Sequence, residues 1–519
     1  MPSADADVDV LIVGGGPVGL TARALLERWG VRVLLVERHS GLSPFPRARL
    51  VNVRSMEIFR QLGVAAEITA AAFAPEYGRI RFRDTLYDHD FATAAMVGVN
   101  APVPESPVMG VVTSQDRLEP VLLAAADGPV RFGVQLIGLE EEADGIAARL
   151  VDHRRGEETR VRARYLVAAD GANSTARELV GVGTAGPGTL GNFTTVVFDA
   201  DLGDRCAGRP AGVYFTAHGS FLPLYPEGGW AWLVPTPEDA ARADWSGLVS
   251  RALGPGADVR VSVVRVRHWA MNAFVAERFR QGRILLAGDA AHAVPIIGGL
   301  GMNAGVADAH NLCWKLAGVL HEWAGSGLLD TYERERQPVA HLTLRQAVAN
   351  AQLLLQVQGQ RREQLRHGQA APAAIEPPWS DQYFAQLGLV LGVTYHSDAV
   401  LPDDGGPPEP YESGTDYVPT AEPGRRMPHL WLAHHRSTLD ALGEWFTLLT
   451  PDPAYWEHHT TPPWPLRVEA LPGEHTCLCG LHPHGAILVR PDGHIAARWR
   501  DRPPSGAALH HALTAITQS

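Results

Sequence analysis

The residues of this 519-residue chain that most plainly invite chemistry are two glycine clusters in apolar surroundings. The first, Gly14-Gly15-Gly16-Pro17-Val18-Gly19, follows the apolar run Val8–Val13 and precedes Leu20–Trp29; Glu37 closes the next apolar run, Val31–Glu37. A pyrophosphate bound at a helix N-terminus needs free backbone N–H groups and no side chain in the way, and glycine provides both. An acidic residue about 20 positions on suits a ribose hydroxyl. Gly14, Gly16, Val18, Gly19 and Glu37, with Arg38 beside them, are therefore a candidate dinucleotide site. A glycine cluster alone means only a turn; strand, helix and acid in register make the difference. The second cluster runs Gly288-Asp289-Ala290-Ala291-His292, then Pro295, then Gly298-Gly299-Leu300-Gly301-Met302-Asn303. It argues for a second close approach of backbone to ligand. Asp289 is there either a ligand contact or the N-cap of a turn.

The elements that must position these clusters can be read from the apolar pattern. Val8–Val13, a helix over Leu20–Trp29 and Val31–Glu37 form a βαβ unit, and their near-continuous Val, Leu and Ile suit parallel strands buried on both faces. Tyr165–Ala169 and Arg283–Ala287 have the same texture. Helices are expected at Val53–Leu62, Asp116–Ala126, Ala304–Leu320 and from Leu328 to Gln356 or beyond. Between Pro187 and Arg280, short alternating segments such as Phe193–Ala200, Ala231–Pro235 and Val259–Trp269 suggest an inserted antiparallel sheet. The organisation that follows is a first Rossmann-type part over 1–186, of which 70–107 joins the inserted part instead. The inserted sheet over 187–280 comes next, then the second Rossmann part with long helices over 281–402, a Pro/Gly-dense linker over 403–424, and a last unit over 425–519.

Composition removes several classes. Lys plus Arg number 45 against 57 Asp plus Glu, a net charge of −12, which argues against a nucleic-acid partner because phosphate neutralisation needs clustered cations. At 45% hydrophobic and 20% charged residues the chain is no disordered polymer. No stretch reads as a membrane span, and the acidic N-terminus lacks the positive region of a secretory leader. Four cysteines make no disulfide framework, so a soluble cytoplasmic protein, monomer or homodimer, is expected.

Between the two glycine clusters lies DGANSTAR (170–177). GGGPVG (14–19), DGANSTAR and GDAAHAVPIIGGLGMNAG (288–305), in that order, resemble the FAD-dependent aromatic hydroxylases of the para-hydroxybenzoate hydroxylase type, the class A flavoprotein monooxygenases. RSMEIFRQLGV (54–64), SQDRLEPVLL (114–123), DAHNLCWKL (308–316) and LLDTYERERQPVA (328–340) extend the likeness over about the first 400 residues. Within that family, GTLGNFTTVVFDADL (188–202) and the appended C-terminal part are most similar to hydroxylases that tailor aromatic polyketides such as anthracyclines and angucyclines.

The resemblance implies a fold and a site. The fold would be α/β: a Rossmann-type FAD domain, an inserted antiparallel substrate sheet and a C-terminal thioredoxin-like domain. Glu37 would bind the adenosine ribose, Arg47 would lie near the flavin phosphates and ring, Gln115 would touch the cofactor, and Asp289 would accept a bond from the ribityl chain. Gly301, Met302 and Asn303 would offer backbone amides to the pyrimidine end of the flavin. Asp170, Gly171 and Arg177 belong to a motif tied to FAD and NAD(P)H, although Arg177 could equally be a salt bridge that fastens its loop. Arg47, His292 and Pro295 stand nearest the reacting end, His292 as at most a helper. FAD would be held non-covalently and NAD(P)H would dock transiently, since no second strand–glycine–helix unit exists. With O2, a flavin C4a-hydroperoxide would hydroxylate a polycyclic phenol, in antibiotic biosynthesis.

Tyr214, Phe215, Phe221, Tyr225, Trp230 and Trp232 fall within nineteen residues of a chain only 7% aromatic, and such faces suit a flat polycyclic ligand. Taken singly, each is also an ordinary core residue of a sheet. In the last unit Cys477-Leu478-Cys479 has the wrong spacing for thioredoxin's dithiol. With His482 and His484 it is unlike any usual zinc pattern, so no metal is expected. Three other outcomes remain open on sequence: Baeyer–Villiger insertion on a polyketide, hydroxylation of a simple phenol in catabolism, or a flavin-binding partner protein without catalysis.

Overall fold

Val10, Leu11 and Ile12 are inaccessible on both sides, and the strand they belong to, Ala6–Val13, is the centre of the first sheet. It pairs in parallel with Val33–Glu37 on one side and with Glu157–Ala168 on the other. The computed structural model describes residues 6–202, 206, 209–255, 259–367, 386–403, 406, 417–458, 463–503 and 505–518. The sheet continues to Ile284–Leu286 and Arg280–Gln281 at one edge and to Val130–Phe132 at the other; a hairpin, Val134–Glu141 with Ile146–Asp152, extends from Glu157–Ala168. Helices Pro17–Arg28 and Leu300–Leu320 pack against each other beside the sheet. The parallel arrangement brings Gly14, Ala169 and Ala287 to the same ends of adjacent strands.

The second sheet has eight strands, in the order His292–Ala293, Ser262–Ala276, Thr184–Asp199, Gly228–Pro235, Gly219–Tyr225, Val213–Thr216, Arg79–Phe82 and Ala92–Ala95. Its pairing is antiparallel except where Val213–Thr216 meets Arg79–Phe82 in parallel. The strands from 187–280 pair antiparallel as expected, and the parallel seam falls where the sheet takes in Arg79–Phe82 from the 70–107 stretch. The parallel seam arises because two separate stretches of chain meet there, so no hairpin dictates their direction.

The last unit orders its strands Leu466–Ala470, Phe446–Thr450, Ala486–Val489 and Ile495–Trp499, followed by the helix Ala508–Thr517. The first two are parallel and the rest antiparallel, the βαβ–ββα order of a thioredoxin-like unit. Phe446, Leu448, Trp456 and Leu509 share one core with Trp314, Trp323 and Leu328 of the helical layer. Most of the expected linker, 404–405 and 407–416, lies outside the described residues.

A buried ionic network crosses the same junction. Glu335 accepts from Lys315 at 2.7 Å and from Arg490 at 2.6 Å, and Arg490 also reaches Asp492 at 2.5 Å. Glu57 is flanked by Arg54 at 3.0 Å and by Arg426, and Asp308 by Arg336 at 2.7 Å. Arg490 and Asp492 sit on the hairpin that turns at Gly493 (φ 79°), so this turn also carries charge into the interior. Among the described residues no helix is long and apolar enough to cross a membrane.

His310 is committed within this junction: Arg54 Nη2 approaches its Nδ1 at 3.4 Å, and its Nε2 donates to Gln61 at 2.8 Å. Burial, together with Arg54, holds its pKa down at about 3 from an ordinary 6.5. The unfolded chain therefore takes up a proton near 6.5 that the folded chain refuses until about 3, so stability falls as pH falls through that window. We expect His310 to account for about 2 kcal/mol of lost stability between pH 7 and 5. Urea titrations of the wild type and His310→Gln at both pH values check this; equal pH slopes would refute it.

Candidate functional site

The first glycine turn divides its labour by position. Gly14 has φ 110°, and a Cβ there would lie 2.2 Å from the Ala169 carbonyl oxygen; a Cβ on Gly19 would lie 2.0 Å from the Gly14 oxygen. Both therefore serve close packing of turn, helix and strand. Gly16 is different: a Cβ there would meet nothing within 4 Å, so the space above it is open. It is also the N-cap of Pro17–Arg28, with no side-chain cap and no acidic residue in the first turn, so the amides of Val18 and Gly19 are not capped by a side chain. Glu37 accepts from Gly15 N at 2.7 Å and from His39 N at 2.8 Å, which fixes its carboxylate at the rim of the turn.

Facing this turn is the second cluster. Asp289 lies deep in the fold with its carboxylate open to solvent, as a cleft-floor residue must, and burial raises its pKa against the pull of His292 and Arg47. It caps nothing: the short turn Gly288–Ala290 has Ala287 as its N-cap, and the helix Leu300–Leu320 has Gly299. That helix also starts with no side-chain cap, leaving the Gly301 and Met302 amides without one. The Asn303 side chain, by contrast, is taken up in structure, accepting from Asn52 N and donating to the Leu50 and Gly299 carbonyls. His292 is fully buried behind the cleft, 2.6 Å from Asp308, which also accepts from Gly288 N and Arg336. Pro295 is buried beside it in sequence, and the exposed residue of that stretch is Ile296.

Several residues singled out in the sequence turn out to hold loops. Asp170 accepts from Ser174 Oγ at 2.5 Å and Ala176 N at 3.0 Å, and Gly171 takes φ 85°. Arg177 donates to the Ala290 and Ala172 carbonyls, both at 2.8 Å, so it fastens the 170–177 loop to the second cluster through carbonyl oxygens rather than through a salt bridge. Gln115 exchanges bonds with Ala48 and donates to the buried Glu119, which in turn holds Ser43. These contacts shape the loop that carries Arg47. Arg47 itself is exposed, and it shares a cationic neighbourhood with Arg38 and Arg267; partial burial, aided by repulsion from the other two, lowers the Arg267 pKa. Among the described residues none of the three forms an ion pair.

The pleat of the eight-stranded sheet divides the aromatic cluster. Tyr214, Phe221, Trp230 and Trp232 face the helix Trp245–Leu253 and belong to one core with Val196, Phe198 and Val249. Tyr214 Oη and Trp232 Nε1 are bonded to the Arg209 and His218 carbonyls. Phe215 packs on Phe82 in another core. The single aromatic wall expected from these residues is therefore corrected: side chains two apart share a face, and that face is the closed one. The opposite face presents Phe193 and Trp269, stacked at 5.4 Å, with Thr195, Leu233, Arg265 and Arg267 in register. Arg265 donates to the Pro44 carbonyl and Arg267 lies over Phe45, so this face meets the Arg47 loop. Of the expected wall, Tyr225 is half-buried at a strand end, its Oη donating to Asp116 at 2.5 Å, with its pKa raised to about 12 by burial and that bond. Near it is Arg49, which sequence reading passed over. It is half-buried, lies over Phe73 at 5.6 Å and donates to Gly212 at 3.0 Å, while its solvent-inaccessible Nε and Nη2 have no partner among the described residues. Burial lowers its pKa to about 9. The alternation Arg265, Arg267, Trp269 was the available signal for the open face; for Arg49 there was none.

An open glycine at an uncapped helix start, a carboxylate at the rim of that turn, a free carboxylate in a cleft and three arginines without carboxylates together fit FAD. Comparison with known proteins agrees. Residues 7–347 match the family model of the FAD binding domain, and residues 420–518 that of the aromatic-ring hydroxylase C-terminal domain. The chain belongs to the flavin-dependent aromatic-ring hydroxylases. It is 36% identical to aklavinone 12-hydroxylase RdmE of Streptomyces purpurascens, over 96% of each chain. It is also 33% identical to the tetracenomycin A2 monooxygenase-dioxygenase of Streptomyces glaucescens, over 98% of this chain and 97% of that one. Among solved structures, the flavin-dependent monooxygenase PieE, in complex with FAD and substrate, aligns with a TM-score of 0.90 at 33% identity, covering 99% of this chain and 100% of that one. Aklavinone-11 hydroxylase with FAD and aklavinone aligns at 0.83 and 34%, covering 100% of both. The protein is thus an FAD-dependent monooxygenase.

Two outcomes follow for this hydroxylase. Asp289→Ala should weaken FAD retention about ten- to over a hundredfold, the effect of losing a buried charge-assisted bond of roughly 1.5–3 kcal/mol. Fluorescence titration of the apoprotein with FAD measures it, and unchanged affinity would remove Asp289 from the cofactor site. The cysteines should be dispensable. Cys479 is buried, with its thiol pushed up to about 12, and Cys477 is exposed; the helix joining the parallel strands, Pro453–Glu457, carries neither. Cys477→Ser combined with Cys479→Ala should leave turnover per FAD-loaded molecule unchanged. A loss of turnover in folded, yellow protein would restore a thiol role.

Proposed function

We propose that this monooxygenase hydroxylates a polycyclic aromatic polyketide, with NAD(P)H as a transiently bound reductant and O2 as the oxygen source. Bound FAD supplies the oxygen activation; the chain's own residues bind, orient and shield. Gly16, the Val18 and Gly19 amides, Arg38, Arg47 and Arg267 suit the pyrophosphate, Glu37 the ribose, and Asp289 the ribityl chain. Gly301 and Met302, at the positive end of their helix, suit the electron-rich pyrimidine edge of the flavin.

The observation that carries the substrate class is the open sheet face. Phe193, Trp269 and Leu233 offer a broad flat apolar surface next to the Arg47 loop. Two polar groups would serve such a ligand's oxygens: the two unpartnered donors of Arg49 suit a quinone or phenolate oxygen, and Tyr225, held by Asp116, suits a phenol proton. Relatives that align along nearly the whole chain are named for aklavinone and tetracenomycin substrates, both polycyclic. His292 acts through Asp308 on the Gly288 turn, as a positioning residue.

A substrate bound across this face would complete the site in which bound FAD meets NAD(P)H, so substrate binding and reduction should be coupled. We expect a polycyclic phenol to raise the rate of anaerobic flavin reduction by NAD(P)H at least about tenfold, roughly 1.4 kcal/mol of barrier. Stopped-flow absorbance at the flavin band reads it, with NMR of the product separating hydroxylation from ring insertion. Equal acceleration by a one-ring phenol would favour a simple phenol as substrate, and no acceleration by any aromatic would overturn the reading.

A further inference from the structure

The ionic junction between the helical layer and the last unit encloses a cavity of about 20 Å³, lined in part by Arg54, Arg336, Arg426, Tyr395, Asp492 and His494. That is room for one water-sized species, because a single such occupant needs at least about 10–15 Å³.

Two features of the wall ask for an acceptor. His494 is 4% exposed, stacked on Tyr395 at 4.0 Å; its Nδ1 stands 3.7 Å from Asp492, beyond hydrogen-bond reach, and its Nε2 has no partner at all. Tyr395 Oη accepts from Arg336 Nη1 at 3.2 Å, which leaves its own proton free to be given away. Whichever nitrogen of His494 carries its proton, the ring offers a buried donor without a partner.

Charge points the same way. The network holds the cations Arg54, Lys315, Arg336, Arg426 and Arg490 against the carboxylates Glu57, Asp308, Glu335 and Asp492. Among the described residues, five cations against four anions leave one positive charge in excess. His310 and His494 do not alter the balance near neutral pH, being held to about 3 and about 4 by burial and the surrounding arginines. An uncompensated buried cation is expensive, and a water molecule does not neutralise it.

We propose that this cavity binds a small monovalent anion of the halide class, with chloride the physiological occupant, held by Tyr395 Oη–H, a ring N–H of His494 and the neighbouring guanidinium groups. The anion joins the His494 hairpin to Arg336. Arg336 in turn holds Asp308, the acceptor for Gly288 N and His292, so the site lies one ion pair from the second glycine cluster. It is separate from the FAD and substrate surfaces and does not depend on the proposed substrate.

Crystals of the FAD-loaded enzyme grown without chloride and soaked in sodium bromide provide the direct test. An anomalous peak at the bromine edge between Tyr395 and His494 is expected; a water-like peak without anomalous signal would overturn the proposal. In solution, the melting temperature of the FAD-loaded enzyme should rise saturably with bromide but not with gluconate at equal ionic strength. Tyr395→Phe should shift the half-saturating bromide concentration upward about tenfold. Identical bromide and gluconate curves in the wild type would refute the site, as would an unshifted bromide curve in Tyr395→Phe.

Discussion

At the carboxyl ends of the parallel strands, three chain reversals meet so closely that a methyl group would not fit between them. Gly14 abuts the Ala169 carbonyl, Gly19 abuts Gly14, and a Cβ on Gly305 would stand 2.8 Å from the Gly288 Cα. This contact of backbone on backbone sets the distance between helices Pro17–Arg28 and Leu300–Leu320, and so between the two helix starts that face the cofactor cleft. Larger residues at these positions would push apart the two walls that must hold one ligand. The glycines thus have two roles: Gly14 and Gly19 make the frame tight, and Gly16 keeps the space above it free.

Around that frame, polar side chains fix loops before any ligand arrives. Arg177 ties the 170–177 loop to Ala290, Gln115 with Glu119 ties Ser43 and Ala48, and Asp308 ties Gly288 to His292 and Arg336. Asp289, Arg38, Arg47 and Arg267 are left without such partners. The contrast matters physically, because a preformed site keeps its ligand-binding groups uncommitted while their neighbours are bonded. The last unit enters the same scheme through buried charge: Arg490 and Asp492 reach Glu335, and Arg426 reaches Glu57. Its thioredoxin order serves docking, with a shared core of tryptophans and an ionic junction in place of a dithiol.

The eight-stranded sheet shows how alternation assigns function. One face is closed by the helix Trp245–Leu253 and takes most of the aromatic residues, which are large enough to fill that core. The other face, turned to the Arg47 loop, carries fewer aromatics and the arginines. An enzyme of this kind needs both: a rigid closed layer to hold the open one flat.

What the sequence alone determined was local in origin. Gly14 to Glu37 lie in one βαβ unit, so their spacing already implies a phosphate turn and a ribose acid. The second glycine cluster before a helix and the wrong spacing of Cys477 and Cys479 are legible for the same reason. The strands Ala6–Val13 and Val33–Glu37 announce themselves because burial on both faces leaves a nearly continuous apolar run. Only the tertiary structure decided which face of the inserted sheet is open, because alternation gives two equivalent faces until a helix covers one. Tyr214, Phe221, Trp230 and Trp232 fell on the covered side for that reason, and Phe193, Trp269 and Arg267 on the other. It alone also decided that His292 and Asn303 point into structure while Asp289 points into the cleft. Arg336, Glu335 and Arg490 became buried partners only on folding, since a charge carries no sign in the sequence of whether it will meet water or a counter-charge.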